Sequence, residues 1–416
     1  MRLLVVMIVY KGFLDPGRDH WEFGYEIGHL ARSIDTGHGF ANPYWGNTGR
    51  SALLCPVYPY LMACVFAVFG VYTKASAFVF LGLNSFLSTV TTLPIFFIAR
   101  KTFDLRTAKL AAWVWAFFPY AIYFSAATMW YHSFTGLLLA SILLAALFLA
   151  SSDQLGAWLA FGALFGFAAL TNPVIVGVAP VLGGWLWIQL ARQGKRALAA
   201  TTVGLLAMVA TILPWSVRND LVLHQPIPFK DGFWMEVCVG NVNGSVELWD
   251  GTEQPSGATV ERDRFEKLGE ISYMAEKRRR AIGYIKNHPG KYAVRSLRHV
   301  VLMWTGFWSF NQQYLKQEPF DPDNIVFLTL LSILSLIGLY HGLREVQTKA
   351  RTIAYLLVLL FFPVPYYLTH VDSGFRHPVD PLLTILACSA IARWFHRPAV
   401  VADAREKTEE EELVLG

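Results

Sequence analysis

Charge is scarce in this chain. Asp, Glu, Lys and Arg make up 16% of its 416 residues, against about a quarter in soluble domains. Cysteine is scarcer still. Cys55, Cys64, Cys238 and Cys388 show no paired spacing, which argues against a thiolate metal site and leaves only a Cys55–Cys238 bridge open. The apolar runs have almost no ionisable groups at their centres. Ion-coupled transporters keep such groups at mid-depth, so this absence counts against a coupled conduit. The amino terminus also lacks the small-residue cleavage site of a signal peptide. What is abundant is apolar: 54% of the residues are hydrophobic and the mean hydropathy is +0.40, above the ~45–50% of a soluble domain. The chain reads as an all-α polytopic membrane protein.

A spanning helix needs roughly 20 apolar residues to cross about 30 Å of hydrocarbon. On that measure the sequence predicts spans near 76–98, 110–127, 133–150, 156–170, 174–190, 197–215, 325–339, 353–368 and 382–391. Residues 1–14 read as a further, short first span, giving a bundle of about ten helices with both termini inside. Leu170-Thr171-Asn172-Pro173 reads as a tight turn, because proline biases the residue before it away from the helix. Three short basic loops orient the bundle: Arg100, Lys101, Arg106 and Lys109; Arg192, Lys195 and Arg196; Arg344, Lys349 and Arg351. Such loops stay cytoplasmic. The result is an N-terminal transmembrane module (1–216) with a first outer loop (15–74), an outer helical segment (217–324), C-terminal transmembrane helices (325–396) and a charged, solvated cytoplasmic tail (397–416).

In the first outer loop, Gly37, Gly39, Gly46, Gly49 and Pro43 mark an irregular stretch. The apolar stretch 56–72 after it reads as a short interfacial helix, with Tyr58, Tyr60 and Tyr72 at headgroup level. In the second outer segment a long amphipathic helix is expected over 260–285, stopped by Asn287-His288-Pro289-Gly290. A second helix follows and rests on the membrane surface. It carries Arg295, Arg298 and His299 on one face, with Val300, Leu302, Trp304, Phe307 and Trp308 as its apolar residues.

The stretch His20-Trp21-Glu22-Phe23-Gly24-Tyr25-Glu26 holds the first candidates. Glu22, Glu26 and His29 recur at spacings of four and three, which puts them on one side of a helix. A solvated face accounts for Glu22 as well as a binding role does. Glu26 lies among Trp21, Phe23, Tyr25 and Ile27, where an idle carboxylate would be costly. There it can serve as a general base or help hold a divalent cation, and the residues leave metal use open. Outer cations form the second set: Arg218-Asn219 at a span's end, Arg376-His377-Pro378 between the last two spans, and Arg295, Arg298 and His299. Headgroup snorkelling is the plain reading. Arginines gathered on the outer face are also suited to bidentate phosphate binding.

At these residues the chain resembles the bacterial GT-C glycosyltransferases of family 39, relatives of the protein O-mannosyltransferases and the aminoarabinose transferases. The resemblance rests on Phe23-Gly24-Tyr25-Glu26-Ile27-Gly28-His29-Leu30-Ala31-Arg32-Ser33, Gly37-His38-Gly39-Phe40, Pro56-Val57-Tyr58-Pro59 and Phe69-Gly70. It continues through Leu213-Pro214-Trp215-Ser216-Val217-Arg218-Asn219, His288-Pro289 and Phe375-Arg376-His377-Pro378. It implies a GT-C-like bundle with extracytoplasmic loop helices, in a bacterial inner membrane. The implied reaction moves a sugar from a polyprenyl-phosphate donor to a lipid, glycan or protein acceptor on the extracytoplasmic face. Glu26 matches the family's acidic residue of the first outer loop. Relatives often open that loop with an Asp-Glu pair where this chain spaces Glu22 and Glu26, and often carry another acid where this chain has Trp130-Tyr131-His132.

A polyprenyl phosphate is already a good anionic leaving group, so one base and a few cations suffice, whereas a glycosidase needs two flanking carboxyls. The sequence-based expectation is inverting transfer, with Glu26 as base and Arg376 with Arg218 or Arg298 on the phosphate. Glu22, His29, Arg295, His299, His377 and Tyr58 complete the expected substrate contacts. No cofactor is required with certainty, and no nucleic-acid partner is expected. A lipid or polysaccharide flippase, with Asn84 as a rare mid-depth polar group, and a noncatalytic envelope scaffold are the alternatives.

Overall fold

The computed structural model describes residues 1–9, 21–242, 251–306 and 321–395. Residues 10–14, His20, Phe307, Trp308 and the expected tail at 397–416 lie outside the described residues. Within them the chain is helical, with a single isolated antiparallel bridge between Ala41 and Arg50. Among the described residues, six helices are long and apolar enough to cross a membrane: Lys74–Thr102, His132–Leu149, Pro173–Arg192, Ala197–Leu223, Val326–Arg344 and Val346–Leu368. This is a multi-pass membrane protein.

The expected spans fall on these helices and on shorter ones, with proline setting several breaks. The 110–127 span divides into Leu105–Phe117 and Pro119–Ala126, because Pro119 has no N–H to continue the ladder and starts a new helix at its first position. The 174–190 span opens as a 3-10 turn over Pro173–Val178, whose start is capped by the Asn172 side chain accepting from the Val174 N–H at 3.2 Å. The 353–368 span breaks before Val364–Leu368 at Pro363. Pro214 is tolerated inside Ala197–Leu223, so that helix runs on past its predicted end at 215.

Small residues let the helices approach closely. A Cβ added at Gly162 on Leu155–Ala169 would sit 2.0 Å from the Gly204 carbonyl oxygen, and one at Gly338 would sit 1.9 Å from that of Leu386. The three basic loops meet at one end of the bundle. Arg351 Nη1 donates to the Lys101 carbonyl at 2.7 Å, Lys101 stands 4.1 Å over the Phe148 ring, and Lys195 donates to the Ser151 carbonyl. Residues 21–72 and 217–306 gather at the other end.

Two expectations are corrected. The long helix over 260–285 is two helices, Thr259–Leu268 and Glu270–Asn287, because Gly269 takes a φ of 75° that stops the first and starts the second. Cys55 and Cys238 are free buried thiols, which donate to the carbonyls of Ala169 (3.7 Å) and Lys277 (3.5 Å) respectively, so the bridge left open in the sequence is not formed. The break after 287 is observed: Pro289–Thr305 follows directly. Its Val294, Leu297 and Val301 are exposed apolar residues, as suits a helix lying at a lipid interface.

Candidate active site

Glu26 opens the helix Glu26–Asp35. The chain reaches it through a 3-10 turn, Trp21–Phe23, and two successive residues at positive φ, Gly24 at 71° and Tyr25 at 34°. Gly24 is required twice over, since a Cβ there would lie 2.7 Å from the Met129 carbonyl oxygen. Tyr25 is not glycine, and its conformation costs on the order of 1–3 kcal/mol. Its ring is held edge-on to His29 at 4.8 Å and against Tyr44 at 6.3 Å. The strained turn aims Glu26 at the second outer segment while Ile27, Leu30 and Ala31 pack beneath.

The Glu26 carboxyl is half-buried. Desolvation pushes its pKa up to about 7, and nearby Glu236 adds to the rise; opposing it are a backbone hydrogen bond from its own N–H, a hydrogen bond from Ser256, and the charge of Lys230. Tyr44 and Tyr131 also face it. Glu236 lies on Phe233–Asn241, an otherwise apolar helix. It accepts from Gln254 Nε2 at 3.1 Å and stands 3.4 Å from His370 Nδ1.

His370 in turn neighbours His299, which also feels Arg295 and Arg298. Burial drops the His299 pKa to about 4, so the ring is neutral at pH 7. Its Nδ1 lies 3.1 Å from the Tyr367 carbonyl, an acceptor, which places the proton on Nδ1 and leaves the buried Nε2 as a bare acceptor. A hydroxyl satisfies that nitrogen; an ionised phosphate does not. Arg295 donates to the Asn241 carbonyl, and Arg298 is solvent-exposed.

Arg218 and Arg376 have other duties. Arg218 donates to the carbonyls of Ser51 (2.6 Å) and Phe40 (2.9 Å) and lies over the Phe40 and Trp215 rings, fastening the first loop to the end of Ala197–Leu223. Glu270 ties down the same loop, accepting from Ser51 Oγ at 2.5 Å and the Ala52 N–H at 2.7 Å. Arg376 is fully buried. It pairs with Asp380 at 3.1 Å and donates to the carbonyls of Leu328 (3.0 Å) and Trp304 (3.3 Å). His377 lies between the same Asp380 and Ser133, each at 3.4 Å, and stacks on Phe124 and Trp115. Both guanidinium groups are thus engaged by the protein's own carbonyls, and Arg376 also by Asp380. Polar neighbours also run from Glu26 through Glu236 and His370 to His299, Arg295 and Arg298.

Tyr58 is enclosed by protein rather than facing lipid headgroups. It is buried, and its hydroxyl donates to Asn84 Oδ1 at 2.9 Å while Asn84 Nδ2 donates to the Thr128 carbonyl at 3.1 Å. Both therefore serve helix packing. His29 is buried with Arg32 Nη2 3.3 Å from its Nδ1, and Glu22, on the Trp21–Phe23 turn, is half-buried. Among the described residues, no three His, Cys, Asp or Glu side chains cluster to hold a metal ion. Sequence reasoning missed Glu236, Gln254, Ser256, Lys230 and His370. Glu236, a lone acid in Phe-Trp-Met-Glu-Val-Cys-Val, carries the same signal that marked Glu26.

Residues 54–216 match the family described as dolichyl-phosphate-mannose-protein mannosyltransferase, under half of the chain. No curated protein matches the sequence. Among solved structures, the archaeal oligosaccharyltransferase AglB from Archaeoglobus fulgidus, in complex with an inhibitory peptide and a dolichol-phosphate, superposes with a TM-score of 0.54 at 13% identity. That match covers 92% of this chain and 47% of AglB. The apo form of the Archaeoglobus fulgidus oligosaccharyltransferase gives 0.53 at 13% identity, covering 100% of this chain and 51% of that one. The chain thus spans about half the length of these structures. ArnT from Cupriavidus metallidurans, bound to undecaprenyl phosphate, gives a TM-score of 0.39 at 14% identity, covering 94% of this chain and 77% of that one. The superpositions show that this chain shares the fold of the matching half of the archaeal oligosaccharyltransferase, and residues 54–216 are similar to the mannosyltransferase family.

Proposed function

We propose that the protein is a membrane glycosyltransferase that moves a sugar from a polyprenyl-phosphate donor to a lipid, glycan or protein acceptor at the loop face of the bundle, which is the extracytoplasmic face of a bacterial inner membrane, both termini lying on the cytoplasmic side. The observation that carries this reading is Glu26. It is a half-buried carboxyl with a pKa of about 7, at the head of a helix entered through a strained turn, and a path of polar groups leads from it to Arg295 and Arg298. A base that titrates near the working pH is matched to proton abstraction from a hydroxyl.

In the proposed step Glu26 takes the proton of the acceptor O–H. The acceptor oxygen bonds the anomeric carbon from the side opposite the phosphate as the bond from that carbon to the phosphate oxygen breaks. The polyprenyl phosphate leaves with the electron pair, and the configuration inverts. Arg298 and Arg295 suit the phosphate charge; His299 Nε2, an acceptor, suits a sugar hydroxyl. The inferred donor class draws on the family match and on AglB having been solved with a dolichol-phosphate. The test is mass spectrometry of envelope lipids and glycans from cells carrying Glu26→Gln beside a deletion strain. Glu26→Gln protein present at wild-type level with the glycan profile of the deletion strain is expected. A wild-type profile would refute Glu26 as the base.

A further inference from the structure

From Lys277 to Thr305 the chain carries Lys and Arg but no Asp or Glu. These residues form the second half of Glu270–Asn287 and all of Pro289–Thr305, at the end of the bundle away from the three basic loops. Part of that charge is used inside the protein. Lys277 pairs with Glu253 at 2.9 Å and with Glu261 at 2.7 Å, Arg280 pairs with Glu253 at 2.7 Å, and Arg295 donates to the Asn241 carbonyl. Arg279, Lys286 and Lys291 are exposed and make no ion pair among the described residues.

Contacts at both ends fix the depth of Pro289–Thr305. Near its start, Tyr292 Oη donates at 3.0 Å to the carbonyl of Leu368, the last residue of the apolar helix Val346–Leu368. Near its finish, Thr329 Oγ1 donates to the Thr305 carbonyl at 2.8 Å and Ser332 Oγ to that of Trp304 at 2.5 Å, from the first turns of Val326–Arg344. The helix therefore lies along the rim where two spans leave the hydrocarbon. At ~100° per residue, Val294, Leu297 and Val301 share one strip of its surface, and Lys291 and Arg298 share the strip beside it. The three apolar residues are 66%, 68% and 58% exposed, so the protein leaves their strip uncovered.

We propose that this face binds anionic phospholipid: the Val294–Leu297–Val301 strip enters the acyl region, while Lys291, with Lys286 across the His288-Pro289 corner, holds the headgroup phosphate. Cations set beside an exposed apolar strip match a negatively charged bilayer surface. A soluble acidic partner would match the charges but leave the apolar strip in water. A zwitterionic surface would cover the strip but leave the charges unmatched. The inference does not depend on Glu26 as base. It bears on the site through the same helix, whose inner side carries Arg295 and His299, so lipid that seats the helix also seats them.

The test uses the full-length protein in nanodiscs of equal parts phosphatidylcholine and phosphatidylglycerol, with one lipid at a time carrying a photoreactive acyl chain. Adducts are mapped by peptide mass spectrometry. Labelling of 291–301 should be about fivefold or more higher from phosphatidylglycerol than from phosphatidylcholine, since each cation near an anionic surface is worth about fivefold. High salt should erode the excess. Lys286→Gln/Lys291→Gln should remove most of it, while adducts on Val346–Leu368 keep their wild-type ratio; both side chains are exposed, so folding is not at stake. Equal labelling by the two lipids, or an excess that survives the double variant, overturns the proposal. So does labelling by photoreactive undecaprenyl phosphate that excess phosphatidylglycerol fails to displace, which would make this face a dock for a lipid-linked donor. Absence of adducts from every lipid would leave the face to a soluble acidic partner and refutes the proposal as well.

Discussion

Replacing Glu26 by glutamine should change stability in opposite ways for function and fold, and the size follows from its surroundings. Burial holds the carboxyl near pH 7 rather than at its ordinary 4.5. At about 1.4 kcal/mol per tenfold change in proton affinity, ionising it in place is less favourable than in the unfolded chain by about 3 kcal/mol. Partial exposure screens this to roughly 2 kcal/mol. The folded state binds the proton more tightly, so the contribution is fully present below pH 4.5 and is lost as pH rises through 7. Glu26→Gln removes the titration. The variant should match wild type at pH 4.5 and exceed it by about 2 kcal/mol at pH 8, while losing transfer. Reversible unfolding in mixed micelles at the two pH values measures the difference, and Glu270 and Asp231, which titrate nearby, are common to both proteins. A difference that does not change with pH, or a glutamine variant less stable at pH 8, refutes the assignment of a strained, desolvated carboxylate.

Arg376→Met strands the buried Asp380 charge and should cost about 3–5 kcal/mol, much of it recovered in Arg376→Met/Asp380→Leu. A stable Arg376→Met with only a raised KM for the lipid donor would instead give Arg376 the phosphate. Gly162→Ala drives a methyl into the Gly204 carbonyl and should destabilise the fold by at least ~1–3 kcal/mol, whereas Gly183→Ala meets nothing within 4 Å and should be silent in the same unfolding assay.

The architecture was largely written in the sequence, because each bilayer crossing announces itself by apolar length and each proline by the N–H it lacks. Glu26 was legible for the same reason, as a charge where solvation is poor. The surroundings of the cations were not legible. Arg218 and Arg376 sit at span ends, and backbone carbonyls from residues 40, 51, 304 and 328 accept their hydrogen bonds. A linear reading cannot see carbonyls that converge from distant segments. Glu236, Ser256 and His370 were missed because their relation to Glu26 exists only after folding. Gly269 was missed because its neighbours continue the helical charge pattern on both sides.

Glu26 is flanked by groups from residues 230 and 236, and Glu236 is in turn joined by His370. During synthesis Glu26 emerges long before His370. Nascent protein paused before that point therefore holds Glu26 and Glu236 without His370, and these surroundings are complete only after the later helices have inserted.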